Sequence, residues 1–305
     1  MRAACIERLG ETPVVAEIVE PVASAGRTVV PVRAAALNPL DLHLGMGRYG
    51  DQPTPHVIGR EGVAEIDGCR RYFTADPLPA GSIAERVALD ATATFAIPDG
   101  LSDEQAIAVG SAGITALLAL EGAAGLRPGE SVLVLGASGA VGQLAVQLAR
   151  SSGAARVVGA ARNVDALSSL ALDAVVALDD QASVTLPAAA AGGFDVVIDP
   201  VGGDPLASAI AATAEGARIV TLGISAGRVA PIDTRALQGR SLLGFTVRTA
   251  SVAAKRAAYA RLVEQALAGA IHLRTESFPL DAIARAWVLQ EASPNRKLII
   301  QLAST

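Results

Sequence analysis

Ser131-Val132-Leu133-Val134-Leu135-Gly136-Ala137-Ser138-Gly139-Ala140-Val141-Gly142-Gln143-Leu144-Ala145-Val146-Gln147-Leu148-Ala149-Arg150 decides the fold. An apolar run of strand length meets a glycine-rich turn, and the turn opens into an amphipathic helix. That order is the context a dinucleotide-binding turn requires. Backbone N–H groups at such a helix start point outward, and the helix dipole favours an anion there. Gly139 leaves room for the backbone to approach a pyrophosphate, and Gly142 lets the helix pack closely on the strand. Ala137 stands where the common fingerprint has its first glycine. Ala137, Ser138, Gly139, Ala140, Val141 and Gly142 together form the candidate phosphate cradle.

Downstream the pattern alternates strand and helix. Apolar strands are expected at residues 156–160, 174–178, 194–198, 217–222 and 242–247. Near-continuous apolar strands separated by helices imply a parallel sheet covered on both faces, a doubly wound α/β domain. Upstream, residues 1–99 show short strands at 29–34, 62–66 and 84–89, broken by turn clusters at Gly45-Met46-Gly47, Asp51-Gln52-Pro53-Thr54-Pro55 and Asp76-Pro77-Leu78-Pro79. This reads as an irregular all-β unit. Ser102 and Gln105 fit a capping box at a helix start. A second helix is expected near residues 114–120, ending before Gly122. Past the sheet, a helix is expected over about 252–267 with a stop at Gly269, another near Asp281, and a closing strand at 297–301. The resulting domains are 1–108 with 249–305, and 109–248.

The 305 residues carry a net charge of -5, with Lys+Arg at 25 and no basic block, which argues against nucleic acid as the main partner. Aromatic residues make up only 3%, so the core must be built from Ala, Val, Leu and Ile. Two cysteines, Cys5 and Cys69, cannot make a disulfide framework. No apolar run reaches membrane-spanning length and none resembles a secretory segment, so a soluble cytoplasmic protein is expected.

The end of the second strand of the parallel sheet speaks to the cofactor. Domains that prefer NAD place an acid there, on the ribose hydroxyls. Here the strand runs into Ala161-Arg162-Asn163, with no acid and a guanidinium suited to a phosphate. NADPH is therefore expected, with Arg162 on the 2′-phosphate and Asn163 assisting. The alternative is a solvent-exposed arginine at a helix start.

Several stretches together resemble the medium-chain dehydrogenase/reductase superfamily, and within it the zinc-independent quinone oxidoreductases and related enoyl reductases. They are Ala36-Leu37-Asn38-Pro39-Leu40-Asp41, Gly47-Arg48-Tyr49, Ile58-Gly59-Arg60-Glu61-Gly62, Gly113-Ile114-Thr115-Ala116, the 136–142 turn, Asp199-Pro200-Val201-Gly202-Gly203 and Leu222-Gly223. The resemblance implies a Rossmann domain joined to a GroES-like irregular β domain. It implies cofactor contacts from Asn38, Thr115, Leu222, Gly223 and Lys297 besides the turn. Thr115 has an alternative role as a capping or packing residue. Zinc-dependent relatives place cysteine where Asn38 stands and histidine where Arg60 stands, and their structural zinc needs four cysteines. No metal site is expected. The link at residues 66–71 is shorter than the glycine-rich turn usual in the family.

Without a metal, hydride addition to a quinone or an α,β-unsaturated carbonyl is less demanding than oxidation of a simple alcohol. The oxygen on which charge develops needs a donor. Tyr49 and His43 are the nearest candidates, and Arg60 could polarise that oxygen. Related quinone reductases tend to have tyrosine at both of the first two places. The structural alternative for Arg60 is an ion pair with Glu61 or Asp41. The expected activity is zinc-independent, NADPH-dependent reduction of a small-molecule quinone or enone, by a homodimer joined at the sixth strand of the parallel sheet. The alternatives are a reductase of one pathway intermediate and a cofactor-binding protein with little catalysis.

Overall fold

A computed structural model of the chain describes residues 1–75 and 79–302. Of the expected turn Asp76-Pro77-Leu78-Pro79, only Pro79 lies among the described residues. The chain forms two compact units, Met1–Ser111 with Tyr259–Thr305, and Ala112–Ala258.

The first unit opens with β1 (Arg2–Ile6), β2 (Val14–Glu17), β3 (Thr28–Leu37), α1 (Pro39–Gly45), β4 (His56–Val57), β5 (Glu61–Ile66), β6 (Cys69–Thr74), β7 (Arg86–Leu89), β8 (Phe95–Ala96) and α2 (Asp103–Ala108). The helix α1 corrects the all-β expectation. Asn38 is extended and Pro39 takes the first helical turn, where its missing N–H costs nothing. The capping box at Ser102 is present: its hydroxyl accepts from the Gln105 N–H, and the Gln105 side chain accepts from the Ser102 N–H. The short link between β5 and β6 is a tight hairpin, with Asp67 at φ 51° and Gly68 at φ 73°. An Asp-Gly pair with both residues in the left-handed region is what a two-residue hairpin turn favours.

The second unit begins one residue into α3 (Ser111–Leu117), which continues as a π-helical stretch over Leu118–Ala123. The helix therefore runs through Gly122 instead of stopping before it. Then come β9 (Ser131–Leu135), α4 (Ala140–Ser151), β10 (Arg156–Ala161), β11 (Ala174–Ala177), α5 (Ala182–Ala189), β12 (Phe194–Asp199), α6 (Gly203–Ala211), β13 (Thr213–Thr221) and β14 (Ser241–Gly244). They form a six-stranded parallel sheet in the order β11-β10-β9-β12-β13-β14. Counted within the unit this is 3-2-1-4-5-6, the Rossmann order, with the strand order reversing beside β9. The interior strands are apolar because both of their faces are covered: Val132, Leu133, Val134 and Leu135 are fully buried, as are Val196, Val197 and Ile198. The sixth strand is shorter than expected. It stops at Gly244, and Val247–Thr249 form a 3-10 turn.

The chain then returns through α7 (Val252–Leu267), β15 (Thr275–Pro279), α8 (Ile283–Glu291) and β16 (Lys297–Gln301). Gly269 has φ +69°, consistent with the expected glycine stop. In the first unit β16 pairs antiparallel with β3 and parallel with β15, so the last strand is an interior one, next to the edge, in a sheet ordered β15-β16-β3-β5-β6-β8. A second sheet runs β2-β1-β4. Trp287 of α8 is fully buried with Ile6, Leu37, Phe73 and Ile300. A side chain at Gly45 would meet the indole at 2.8 Å, so the end of α1 lies directly on that ring.

Candidate active site

In the first unit the site is built on the ends of β3, β5 and β16. Glu61, the first residue of β5, is fully buried. Its Oε1 accepts from Lys297 Nζ at 2.6 Å and from Asn38 Nδ2 at 3.2 Å. Its Oε2 accepts from the Tyr72 hydroxyl at 2.6 Å and from the Ser111 N–H at 2.8 Å. Burial alone would raise the Glu61 pKa; Lys297, Tyr72 and the Ser111 N–H outweigh it and hold the group below the usual carboxylate range. Burial, and next the Glu61 charge, push the Tyr72 hydroxyl well up. The Tyr72 ring stacks on Tyr259 at 4.6 Å, and a side chain at Gly110 would strike that ring at 2.4 Å.

Asn38 belongs to this network. Its Oδ1 accepts from Lys297 Nζ at 2.7 Å while its Nδ2 donates to Glu61. Two charged partners thus fix which end of the amide is which. The structure brings two of the expected cofactor contacts, Asn38 and Lys297, together in one hydrogen bond. In the sequence Glu61 stands out only as a motif residue and as a possible partner of Arg60, and Tyr72 does not stand out at all. A carboxylate between Arg60 and Gly62 at the head of an apolar strand was the available signal, because a buried charge needs a partner. Lys297 was another, one of two lysines in the chain and placed at the start of an apolar strand.

The α1 segment holds the other candidates. Asp41 is buried and accepts from the Asn38 N–H at 2.8 Å and the Gly59 N–H at 2.9 Å. Burial pushes its pKa up to about 6, against the pull of Arg60 and of those two N–H groups. Gly59 has φ +94°, and a Cβ there would meet Ser82 Oγ at 2.5 Å, so only glycine fits. Arg60 Nε lies 4.0 Å from Asp41 Oδ1 and donates to the Gly59 carbonyl at 2.8 Å, and a second guanidinium nitrogen donates to the Ala80 carbonyl. The alternative of an ion pair with Asp41 is thus realised. One turn on, His43 and Tyr49 meet edge to face, with ring centres 6.1 Å apart and planes at 84°. Tyr49 is 47% exposed.

In the second unit the 136–142 turn is tied to the strands beside it. Gly136 has φ +60°, the Ala137 N–H donates to the Ala160 carbonyl at 3.0 Å, and Gln143 Nε2 donates to the Ser138 carbonyl at 2.6 Å. A Cβ at Gly142 would lie 2.3 Å from the Gly136 carbonyl oxygen and 2.7 Å from Ala137 Cα. At Gly139 the nearest atom to such a Cβ is 3.4 Å away, so its outer face is open. No side chain caps α4, which leaves the N–H groups of its first turn for a ligand. The missing fingerprint glycine has a local compensation. Ala137 is fully buried, and its methyl sits where a side chain on Gly159 of β10 would approach to 3.1 Å. The turn therefore fits a pyrophosphate on backbone geometry alone.

Ala161 ends β10 and is buried, while Arg162 and Asn163 after it are exposed. The Asp199 carboxylate at the end of β12 accepts from the N–H groups of Val201 and Gly202 at 2.9 and 2.8 Å, and its carbonyl accepts from the Leu222 N–H at 2.7 Å. A Cβ on Gly223 would lie 2.3 Å from the Pro200 carbonyl oxygen. Leu222 and Gly223 are thus brought against the Asp199-Pro200 corner. Thr115 lies half-buried in α3. The two units are compact bodies in their own right, and each carries its share of the candidate residues.

A family model described as "Zinc-binding dehydrogenase" matches residues 140–265. The chain is 31% identical over 240 residues to an acrylyl-CoA reductase of Ruegeria pomeroyi, covering 72% of this chain and 73% of that protein. The quinone oxidoreductase of Thermus thermophilus, whose structure was solved alone and with NADPH, is 32% identical, with a TM-score of 0.84 over 99% of this chain and 100% of that one. A polyketide synthase of Streptomyces halstedii is 33% identical over 209 residues, 65% of this chain but only 4% of the synthase's length. The chain belongs to the medium-chain dehydrogenase/reductase superfamily, an oxidoreductase family, alongside its quinone oxidoreductases and acrylyl-CoA reductase. The zinc in that family model's description does not fit these residues. An ammonium, Lys297 Nζ, lies 2.7 Å from Asn38 Oδ1, and Arg60 carries a second fixed cation in the same unit. Among the described residues no group of three or more His, Cys, Asp or Glu is placed to hold a metal ion, and no helix is long and apolar enough to cross a membrane.

Proposed function

We propose that the protein is a zinc-independent, NADPH-dependent reductase of small-molecule quinones or α,β-unsaturated carbonyl compounds. The observation that carries this is the open backbone cradle at Gly139, with Gly142 forced by contact, beside a second strand that ends in Ala161-Arg162-Asn163 without an acid. NADPH, when bound, supplies a hydride. The chain's residues do the rest: the first-turn N–H groups of α4 hold the pyrophosphate, and Arg162 with Asn163 holds the 2′-phosphate. The Leu222-Gly223 corner, Thr115, Asn38 and Lys297 border the nicotinamide end. Tyr49 and His43, in contact with each other, supply the donor for the substrate oxygen. The acrylyl-CoA reductase among the relatives favours a conjugated thioester as a second substrate class.

The same reading includes a cytoplasmic homodimer. β14 ends the six-stranded sheet beside β13, with no other strand paired to it among the described residues, and Leu242 on it is exposed. An uncovered apolar edge is an association surface, and a two-fold axis would pair it with its twin. A monomeric mass across micromolar concentrations would remove that part of the proposal.

The test is NADPH oxidation with a simple quinone, a simple enone and a conjugated acyl thioester, together with the NADPH dissociation constant. Turnover of several such acceptors is expected. Turnover of one alone supports a pathway-specific enzyme, and binding without turnover supports a cofactor-binding protein. Tyr49→Phe keeps the ring, and its turnover is expected to fall on the order of a hundredfold at unchanged NADPH affinity if its hydroxyl is the donor.

A further inference from the structure

His43 and Arg48 face each other across the end of α1. Arg48 Nη1 lies 3.2 Å from His43 Nδ1, and the Arg48 N–H donates to the His43 carbonyl at 2.9 Å, so side chain and backbone are held to the same residue. A guanidinium has donors only and stays charged at any pH a protein meets. Its partner at 3.2 Å must therefore offer a lone pair, and Nδ1 cannot carry a proton there. An imidazolium, protonated on both nitrogens, would set donor against donor and cation against cation. Tyr49 stands edge to face against the same ring, which limits its rotation.

We infer that Arg48 is a positioning residue that holds His43 as the neutral tautomer with its proton on Nε2, so that His43 is the hydrogen-bond donor to the substrate oxygen on which charge develops. The inference rests on the reductase reading above and makes its donor specific. It assigns a hydrogen bond and no covalent step: the electron pair displaced by hydride addition collects on the substrate oxygen, and the His43 Nε2–H lies against it. A neutral imidazole can act as an electrophile in this way when its environment keeps it from charging. Burial and next the Arg48 charge both lower the His43 pKa, which accords with that state. Arg48 is the charged side chain acting on the ring. Asp41, two residues earlier on α1, points elsewhere and is engaged with the Asn38 and Gly59 N–H groups.

The chain has three histidines, so nitrogen-15 imidazole spectra can be assigned with one His43 variant. At about pH 7.5, above the unperturbed histidine range, the parent should show His43 with a protonated Nε2 and a bare Nδ1. Arg48→Met should show mixed tautomers and titrate at higher pH. A protonated Nδ1, or an imidazolium, in the parent would overturn the inference whatever the activity. Turnover decides the donor role. His43→Phe should lower kcat with quinone or enone by about tenfold or more, with the NADPH dissociation constant unchanged, and His43→Gln, which restores an amide N–H, should recover part of the loss. Parent-like turnover in His43→Phe would end the role. Arg48→Met should lose activity as pH falls through the raised His43 pKa, and a pH profile equal to the parent's would end the role of Arg48. A parent that turns over no quinone, enone or thioester overturns the reductase reading and with it the donor role, while the spectra still decide the tautomer.

Discussion

Glu61 in one unit and Gly142 in the other sit at the most constrained points of their surroundings, and they are fixed by opposite means. Glu61 is held by four donors, one of them a lysine ammonium, in a place where no water is needed to satisfy it. Gly142 is held by the lack of a side chain, because the Gly136 carbonyl occupies the space a Cβ would take. The first unit therefore spends its rigidity on orienting side chains, and its candidate residues are side chains: Asn38, His43, Tyr49 and Lys297. The second offers a backbone surface, and its candidates are mostly positions where nothing must intrude. Charges that fix side chains are sensitive to loss of a partner, whereas a backbone cradle is sensitive to added bulk.

The largest effect should come from splitting the buried pair. Lys297→Met leaves Glu61 buried without its cation, and such a loss costs about 3–5 kcal/mol of stability. Lys297→Met with Glu61→Gln removes both charges and should recover a substantial part, read by urea unfolding. A single variant as stable as the parent would break the comparison, since the network would then be ornamental. In the second unit, Arg162→Ala should weaken NADPH binding about ten- to a hundredfold and leave NADH nearly unchanged, the worth of one hydrogen bond to a charged group, about 1.5–3 kcal/mol. Equal losses for both cofactors, measured by titration, would make Arg162 structural.

Gly142→Ala tests the cradle itself. The new methyl must displace the Gly136 carbonyl, and overpacking of this kind costs about 1–3 kcal/mol while shifting the turn off its ligand. Normal cofactor affinity in a stably folded Gly142→Ala would show that the turn is less constrained than its geometry indicates. The smallest effect belongs to Asp41. Its folded pKa, about 6, lies above the unfolded value of 3.8, so the folded state keeps a proton that the unfolded chain has lost. Its contribution to stability is therefore full below about pH 4 and is lost as pH rises through about 6. Relative to Asp41→Asn, which does not titrate, the parent should lose about 1 kcal/mol between about pH 5 and about pH 7.5. A difference that is flat with pH would mean Asp41 is not desolvated in solution.

What was legible in the sequence was what depends on near neighbours. The strand, turn and helix at 131–150, the capping box at Ser102 and the helix Val252–Leu267 follow rules a few residues long. The helix α1 was missed although Asn38-Pro39 carries a helix-start signal, because seven residues between turn clusters show little periodicity. The run through Gly122 was missed because glycine reads as a stop; Gly122 is exposed with nothing within 4 Å of where its Cβ would lie, and a lone glycine costs a helix only about 1 kcal/mol. The Glu61–Lys297 pair joins residues 236 positions apart, and only the pairing of β16 with β3 and of β3 with β5 brings them together. The Arg48–His43 contact was close in sequence, yet its meaning depends on which ring nitrogen faces the guanidinium, and that is a matter of side-chain geometry.

Trp287, lodged against Gly45, is the chain's one tryptophan, and all three tyrosines, Tyr49, Tyr72 and Tyr259, belong to the same unit. Residues 112–258 contain neither type. Ultraviolet absorption near 280 nm and intrinsic fluorescence therefore report on the first unit alone, and the Rossmann unit is optically silent by these probes. Unfolding followed by tryptophan emission and by far-ultraviolet circular dichroism becomes a direct measure of whether the two units melt as one: coincident curves mean a single cooperative transition, and displaced curves give each unit a stability of its own.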